Sequence, residues 1–288
     1  MTDRIRSLYR ELRPPQQLAG RLVCLWTQQI EGVEGEYCHP VLPDGCADIV
    51  WIGDAPPVVA GPATRRILVK IPVRRMVFGV RFQPGFAASS LGVPADELLN
   101  RDVPLDEIWG AAAGRLMEQV FSHRTTPAKL RAVSDALTSR LARAPAVDPA
   151  VRAAVSWLMH RPGGRVRDLA QAIGLSDRQL QRRFRAAVGY GPKTFQRIMR
   201  LQRLLVRAEG MTSAQVTLAA LASAAGYADQ AHMCREFQAL AEETPQSLLA
   251  RPGSTLSMSD LFNTASGRSG YDPGLDTVNL EEESWSSA

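Results

Sequence analysis

The chain has 288 residues, of which 45% are hydrophobic and 22% are charged, and its formal net charge is +5. This length and composition indicate a globular protein of about two domains. No run approaches the ~18 apolar residues of a membrane span, and the charged first residues argue against a secretory signal. Four scattered cysteines without a CxxC pair favour reduced thiols in a cytoplasmic protein.

The N-terminal part, residues 1–144, has the pattern of a β-rich domain with trailing helices. Short runs rich in β-branched and aromatic residues alternate with turn signals such as Pro43-Asp44-Gly45 and Gly61-Pro62. They predict an antiparallel barrel or sandwich with strands at 22–26, 48–52, 67–69 and 76–82. From Phe86 onward the period indicates amphipathic helices, interrupted near Thr126-Pro127.

Residues 145–251 form the second predicted domain, which is all-helical, so the fold class is α+β. Asp148 before Pro149 is a favoured helix start. Between Asp148 and Arg251 there are 15 Lys and Arg against 8 Asp and Glu, a net +7, which leaves −2 for the rest. A basic block beside a near-neutral one is typical of a nucleic-acid module, although a solvated charged face is the simpler alternative. The polar composition of residues 252–288 predicts a disordered tail.

A short pattern occurs twice in the helical domain. Ala170 and Ala222 are each followed four residues later by glycine, and then by a polar helix that contains Phe184 or Phe237. A small residue that permits close helix crossing and a glycine that permits a left-handed turn indicate a helix-turn-helix. Two such units, joined by a long linker helix that starts at Pro192, predict a reader of two adjacent major grooves.

The polar helix of each unit supplies the candidate DNA contacts. Leu180 and Phe184 are four residues apart and share the buried face, so the arginine and glutamine side chains around them point elsewhere. These side chains match guanine and adenine edges in the major groove, whereas a merely solvated face is the alternative.

Metal and cofactor sites are not expected. His232 lacks a second ligand at a suitable spacing and is assigned to capping or to a phosphate contact. Cys38-His39 with Cys46 resembles a partial metal site, but a turn built by Pro43-Asp44-Gly45 before a buried strand is the better interpretation.

The segment from about Asp148 to Leu249 resembles the DNA-binding domain of the AraC/XylS family of bacterial transcription regulators. The resemblance rests on the two helix-turn-helix units, the proline-led linker helix, the run from Gly226 to Met233 and the closing Thr244-Pro245. It implies that the third helix of each unit enters the major groove. The base-facing candidates are then Arg178, Gln181, Arg182, Gln230, Ala231 and Arg235, and the phosphate candidates are Arg185, Lys193, Arg197, Arg200 and His232.

One residue departs from the family pattern. Glu242 stands where the family usually has glycine, and a residue with a Cβ resists a positive φ. We therefore expect the second recognition helix to end differently and the second unit to bind DNA less strongly.

The N-terminal part resembles an uncharacterised domain that is often fused to this reader. The runs that carry the resemblance are residues 42–49, 79–85 and 105–110. In the family such domains sense small molecules or make dimers. A small-molecule effector, a second copy of the chain and RNA polymerase are therefore candidate partners besides double-stranded promoter DNA.

The leading hypothesis is a sequence-specific transcription regulator without enzymatic activity. The first alternative is a zinc-dependent DNA alkyl-damage acceptor with a similar reader, which needs a thiolate cluster that the cysteine spacing does not provide. The second is a ligand-binding module with catalytic activity, for which the chain shows no nucleophile–base, phosphate-loop or paired-acid motif.

Overall fold

Antiparallel sheets form the first part of the chain, because β-branched and aromatic runs alternate there with glycine and proline turns. The computed structural model describes residues 6–32, 35–161, 163–209 and 217–249. Its strands within these ranges are β1 (Arg6–Leu12), β2 (Leu22–Glu31), β3 (Glu36–Val41), β4 (Ala47–Ile52), β5 (Val58–Ala60), β6 (Ile67–Pro72), β7 (Met76–Phe82) and β8 (Asp102–Pro104).

Six of these strands make one sheet in the order β1-β2-β7-β4-β5-β8, and β3 pairs with β6 in a second sheet. The central strands β4 and β7 are almost fully buried, and Trp51 stacks on Phe78 across the pair. The small sheet covers one face through a cluster that includes Ile71 and Trp26. The opposite face packs on the helices that follow. The N-terminal part is therefore layered around the large sheet.

The trailing helices complete this first core. They are α1 (Ala87–Leu91), a 3₁₀ turn (Ala95–Glu97), α2 (Leu105–Trp109), α3 (Ala111–Phe121) and α4 (Thr126–Leu141). The interruption predicted near Thr126-Pro127 is confirmed, because α4 begins there with proline in its first turn.

The helical part of the chain has the predicted class and order. It consists of α5 (Pro149–His160), α6 (Val166–Ala172), α7 (Asp177–Val188), α8 (Pro192–Glu209), α9 (Leu218–Ala225), α10 (Gln230–Ala241) and α11 (Pro245–Leu249). Asp148 caps α5 by accepting a hydrogen bond from the Ala150 amide, as expected from the Asp-Pro pair. The predicted disordered tail lies outside the described residues.

One apolar core contains residues of both helix-turn-helix units. The N-terminal part, called the sheet domain from here on, also contributes to this core. Phe184, Phe195 and Phe237 belong to the same buried cluster, which also includes Cys46 from the β3–β4 turn. That turn lies directly on α8: the Gln202 amide donates to the Pro43 carbonyl at 2.6 Å. A Cβ added to Gly45, where φ is +87°, would come within 2.8 Å of Phe195. The sheet domain thus packs against the linker helix.

Charged side chains lie buried beside this turn. Arg81 pairs with Asp48 at 3.0 Å, and Asp48 also accepts from the Trp26 indole. Burial raises the pKa of Asp44, and the Arg81 charge opposes that shift. Asp44 accepts from the Cys46 amide at 2.8 Å, which is the turn that the sequence favours over a metal site.

None of the helices within the described ranges combines the length and the apolar character needed to cross a bilayer.

Candidate nucleic-acid interface

The first helix-turn-helix unit consists of α6, a glycine turn and α7. Gly174 adopts a φ of +66° between the two helices, a conformation that glycine reaches without steric cost. Ser176 then caps α7 in a capping box: its hydroxyl accepts from the Gln179 amide, and the Gln179 side chain accepts from the Ser176 amide. The side-chain oxygen of Gln179 is thereby held at the helix start.

The exposed face of α7 carries the side chains selected from the sequence. Leu180 and Phe184 are buried, as the i, i+4 spacing predicts, whereas Arg178, Gln181 and Arg182 are exposed. No ion pair among the described residues involves Arg178 or Arg182. Both guanidinium groups are therefore available for an external partner.

Ion pairs hold the flanks of α7. Arg183 lies 3.5 Å from Asp148 at the start of α5, and Arg185 lies 3.5 Å from Asp96 in the 3₁₀ turn of the sheet domain. The two contacts leave the stripe of Arg178 and Arg182 between them. Its position at the N-terminal half of the helix is where recognition helices contact base edges.

The second unit, α9 and α10, repeats this arrangement. Gly226 turns with a φ of +88°, and the Asp229 carboxylate caps α10 by accepting from the His232 amide. Met233 and Phe237 are buried. The three base-facing candidates of this helix, Gln230, Ala231 and Arg235, are exposed.

Equivalent positions of the two recognition helices differ in charge. Since Phe184 corresponds to Phe237, a constant offset places Ala231 opposite Arg178, and Arg235 opposite Arg182. The surrounding sequence differs in the same direction. Residues 148–191, which hold α5 to α7, carry 8 arginines against 3 Asp and Glu, whereas residues 217–249 carry one arginine against four carboxylates. The second unit therefore offers less attraction to a polyanion.

The end of α10 differs from the expectation. Glu242 adopts a φ of +56°, in the same left-handed region as Gly189 at the end of α7. The prediction of a different helix end is wrong, because the amide of Glu242 still closes the last turn onto the Gln238 carbonyl and the backbone takes the strained conformation. A left-handed residue with a Cβ costs about 1–2 kcal/mol.

Three of the phosphate candidates surround one carboxylate. Glu236 of α10 accepts from Arg197 at 3.1 Å and from Arg200 at 2.8 Å, both on α8, and the His232 ring lies 3.3 Å away. Of the five candidates, Lys193 alone has no ion pair recorded in the described ranges. The phosphate roles of all five remain predictions.

Sequence reasoning missed Glu236 as a contact between helices. The constant offset places it opposite Arg183, which pairs with Asp148 instead. The signal that could have found it is a carboxylate at a position where a DNA-binding helix otherwise carries arginine.

The four cysteines are free thiols and form no disulfide with one another. Cys24 and Cys46 are buried and Cys38 is exposed, and the described part of the chain holds no group of three ligand-type side chains able to bind a metal ion.

Two family models match the chain. The first, described as a domain of unknown function, matches residues 10–104, and the second, a helix-turn-helix domain, matches residues 169–251. The C-terminal part thus matches a helix-turn-helix domain of the AraC type. This match, together with the two units described above, supports a DNA-binding transcription regulator.

Solved structures of ToxT from Vibrio cholerae are also similar to the chain. ToxT from Vibrio cholerae O395 is 9% identical with a TM-score of 0.40, and the match covers 85% of this chain and 96% of that one. Unsaturated fatty acid bound ToxT from Vibrio cholerae strain SCE256 is 11% identical with a TM-score of 0.38, covering 86% and 95%. No curated protein matches the chain.

Proposed function

We propose that the protein is a sequence-specific transcription regulator whose helices α7 and α10 enter two adjacent major grooves of promoter DNA. The observation that carries this proposal is the pair of capped helix-turn-helix units built on one apolar core. The helix α8 that joins them has 18 residues and is therefore ~27 Å long. That length is of the order of one DNA turn, ~34 Å.

The first unit supplies most of the affinity. Its recognition helix presents Arg178 and Arg182, for which the described part of the chain offers no ion pair, and a forked guanidinium pairs with the O6 and N7 atoms of guanine. Gln181 reads the neighbouring base, and Lys193 contacts a phosphate. Arg197 and Arg200 are assigned to Glu236 instead of to the DNA backbone, because the carboxylate offsets their charge and reduces their attraction to phosphates.

The second unit adds specificity with few charges. Arg235 is its base-reading side chain, and Gln230 and Ala231 are its further contacts. This division agrees with the single arginine among residues 217–249.

The domain of residues 1–144 regulates or dimerises the reader of residues 145–251 and has no catalytic role. Its support is the contact of the Pro43-Asp44-Gly45 turn with α8, through which a change in the sheet domain reaches the helix between the two readers. A small-molecule effector, a second copy and RNA polymerase are its proposed partners.

The test is a selection of binding sites by the full-length protein from a randomised duplex library. The proposal expects enrichment of two short sequence blocks whose centres lie about 10 bp apart. Recovery of unrelated duplexes at several salt concentrations would contradict it, because it would reduce the protein to a non-specific polycation.

A further inference from the structure

A single carboxylate lies at the junction between the two units. The side chain of Glu236 is 12% exposed and that of Arg200 is 11% exposed, so the pair is largely withdrawn from water. The Arg200 guanidinium donates to both carboxylate oxygens, with Nη2 at 2.8 Å from each and Nε at 3.2 Å from Oε2. A planar fork on a carboxylate fixes orientation as well as distance.

Neighbouring groups hold this pair in place. Arg197, one turn before Arg200 on α8, donates from Nε to Oε1 of Glu236 at 3.1 Å. The Arg200 guanidinium also lies 5.3 Å from the centroid of the Tyr227 ring, and that ring packs edge-on against His232. The contacts thus join the linker helix, the turn of the second unit and its recognition helix.

The rest of the junction is apolar. Leu201, Leu204, Ala222 and Phe237 lie in the shared core, but apolar burial is non-directional. Packing between helices leaves a scatter of about 15–20° in their crossing angle, so a directional contact can narrow the orientation of α10 on α8. Turning the second unit by about 10° would shift a point ~20 Å away by ~3.5 Å, which is one base-pair step on a repeat of ~34 Å per 10 bp.

We propose that Glu236 is a positioning residue: by binding Arg197 and Arg200 it fixes the angle between the two readers and so sets the half-site spacing that the protein accepts. The inference rests on the proposed two-groove function. It assigns specificity for spacing to a side chain that contacts no base, and it removes two arginines from the DNA-contacting set.

The variant Glu236→Gln should change two measured quantities in different ways: affinity for random duplex should stay equal or rise, whereas discrimination between spacings should fall. Removal of the carboxylate leaves two arginines without a counter-charge, so affinity for random duplex should stay equal or rise. The slope of log K against log salt should steepen by up to about 0.9 for each arginine that reaches a phosphate. Discrimination between spacings should fall, because the junction loses its directional contact.

The experiment measures binding of the full-length protein to duplexes that carry the selected blocks at the preferred spacing and at spacings changed by 1 and 2 bp. In Glu236→Gln we expect the ratio of affinities between preferred and altered spacing to fall about tenfold, which corresponds to about 1.4 kcal/mol. Arg200→Lys keeps the charge but loses the fork, so it should lose the same ratio without a change in salt slope.

Glu242→Gln is the matched control. It removes a carboxylate of the same unit and raises the net charge equally, but Glu242 is exposed and lies outside the junction. It should keep the wild-type spacing ratio. The inference is overturned if Glu236→Gln and Arg200→Lys also keep that ratio, or if both lose affinity equally at every spacing, as a general folding defect would cause. A wild-type protein indifferent to spacing would instead contradict the two-groove function itself.

Discussion

Arg182 lies on the face of α7 opposite the buried Leu180 and Phe184. Its exposure follows from the helical period, because residues two positions from a core residue project away from the core. The same argument identifies Arg178, and both side chains are exposed without an ion pair among the described residues. For single residues, the sequence is enough to predict whether a side chain is exposed or buried wherever this depends only on the period of its own helix.

Replacement of Arg182 by alanine should weaken binding to the preferred site by about 1–3 kcal/mol and relax the preference at one base pair. Arg183→Ala is the control, since it removes the same charge from the next position of the same helix, where the side chain faces Asp148. Site selections on both variants provide the measurement. Full retention of sequence preference in Arg182→Ala, with affinity lost uniformly, would show that this face does not read bases.

His39 gives the sheet domain a dependence on pH. Burial and the Arg81 charge lower the pKa of His39 to about 4, and its Nδ1 lies 3.2 Å from the Gln28 amide nitrogen, which can donate to an unprotonated ring. The unfolded state has the ordinary pKa of about 6.5 and binds the proton first. The contribution of His39 to the free energy of unfolding is therefore fully present above about pH 6.5 and is lost as the pH drops toward 4.

The variant His39→Gln should flatten this dependence. Thermal unfolding between pH 7 and pH 4 measures it, with the exposed His123→Gln as the control. An unchanged slope in His39→Gln would assign the acid sensitivity to other groups.

Contacts between residues that lie far apart in the chain could not be predicted from the sequence. Glu236 lies 36 positions from Arg200, and Asp48 lies 33 positions from Arg81. No helical or strand period connects such pairs, so they emerge only once the helices and sheets have packed.

At the scale of elements, helix ends were the most predictable features. Asp148-Pro149 and Pro192 mark helix starts that the structure shows at those positions, because a capping carboxylate satisfies amides that the first turn leaves unpaired, and proline has no amide to leave unpaired there. Strands β1, β3, β5 and β8 were missed. β1 is an edge strand with charged residues at Arg10 and Glu11, β3 contains Pro40, and β5 and β8 have three residues each, so none of them has the long apolar run of a central strand.

Glu242 adopts a positive φ although residues with a Cβ usually avoid it. The closing turn of α10 requires a positive φ whatever residue is present, so Glu242→Gly should raise the free energy of unfolding by about 1 kcal/mol. Glu242→Gln separates strain from charge and should leave stability nearly unchanged. Denaturant titration of both variants is the measurement, and an equal gain in the two would mean that charge repulsion, not backbone strain, is the cost.

At the scale of the whole molecule, the sheet domain lies against the reader at several points. The Pro43-Asp44-Gly45 turn contacts α8, and Gly189 at the end of α7 lies against Pro62 and Ala95. The sequence predicted these turns, but the surfaces that receive them could not be predicted, because docking between domains depends on shape and has no sequence period.

Gly189→Ala should destabilise the protein more than Gly174→Ala does. Both glycines have a positive φ, but a Cβ at Gly189 would lie 2.6 Å from Pro62, whereas a Cβ at Gly174 meets nothing within 4 Å. Strain of about 1–2 kcal/mol applies to both, and overpacking adds about 1–3 kcal/mol at Gly189 alone. Equal losses of melting temperature in the two full-length variants would show that Pro62 moves aside without a loss of stability.

The central claim is that one chain reads two successive major grooves. Methylation interference measures this most directly, because the N7 atom of guanine lies in the major groove. With the full-length protein on its selected site, we expect two clusters of interfering guanines about 10 bp apart on one face of the duplex, with stronger interference in the block bound by the first unit. A single cluster, or interference confined to the minor groove, would contradict it.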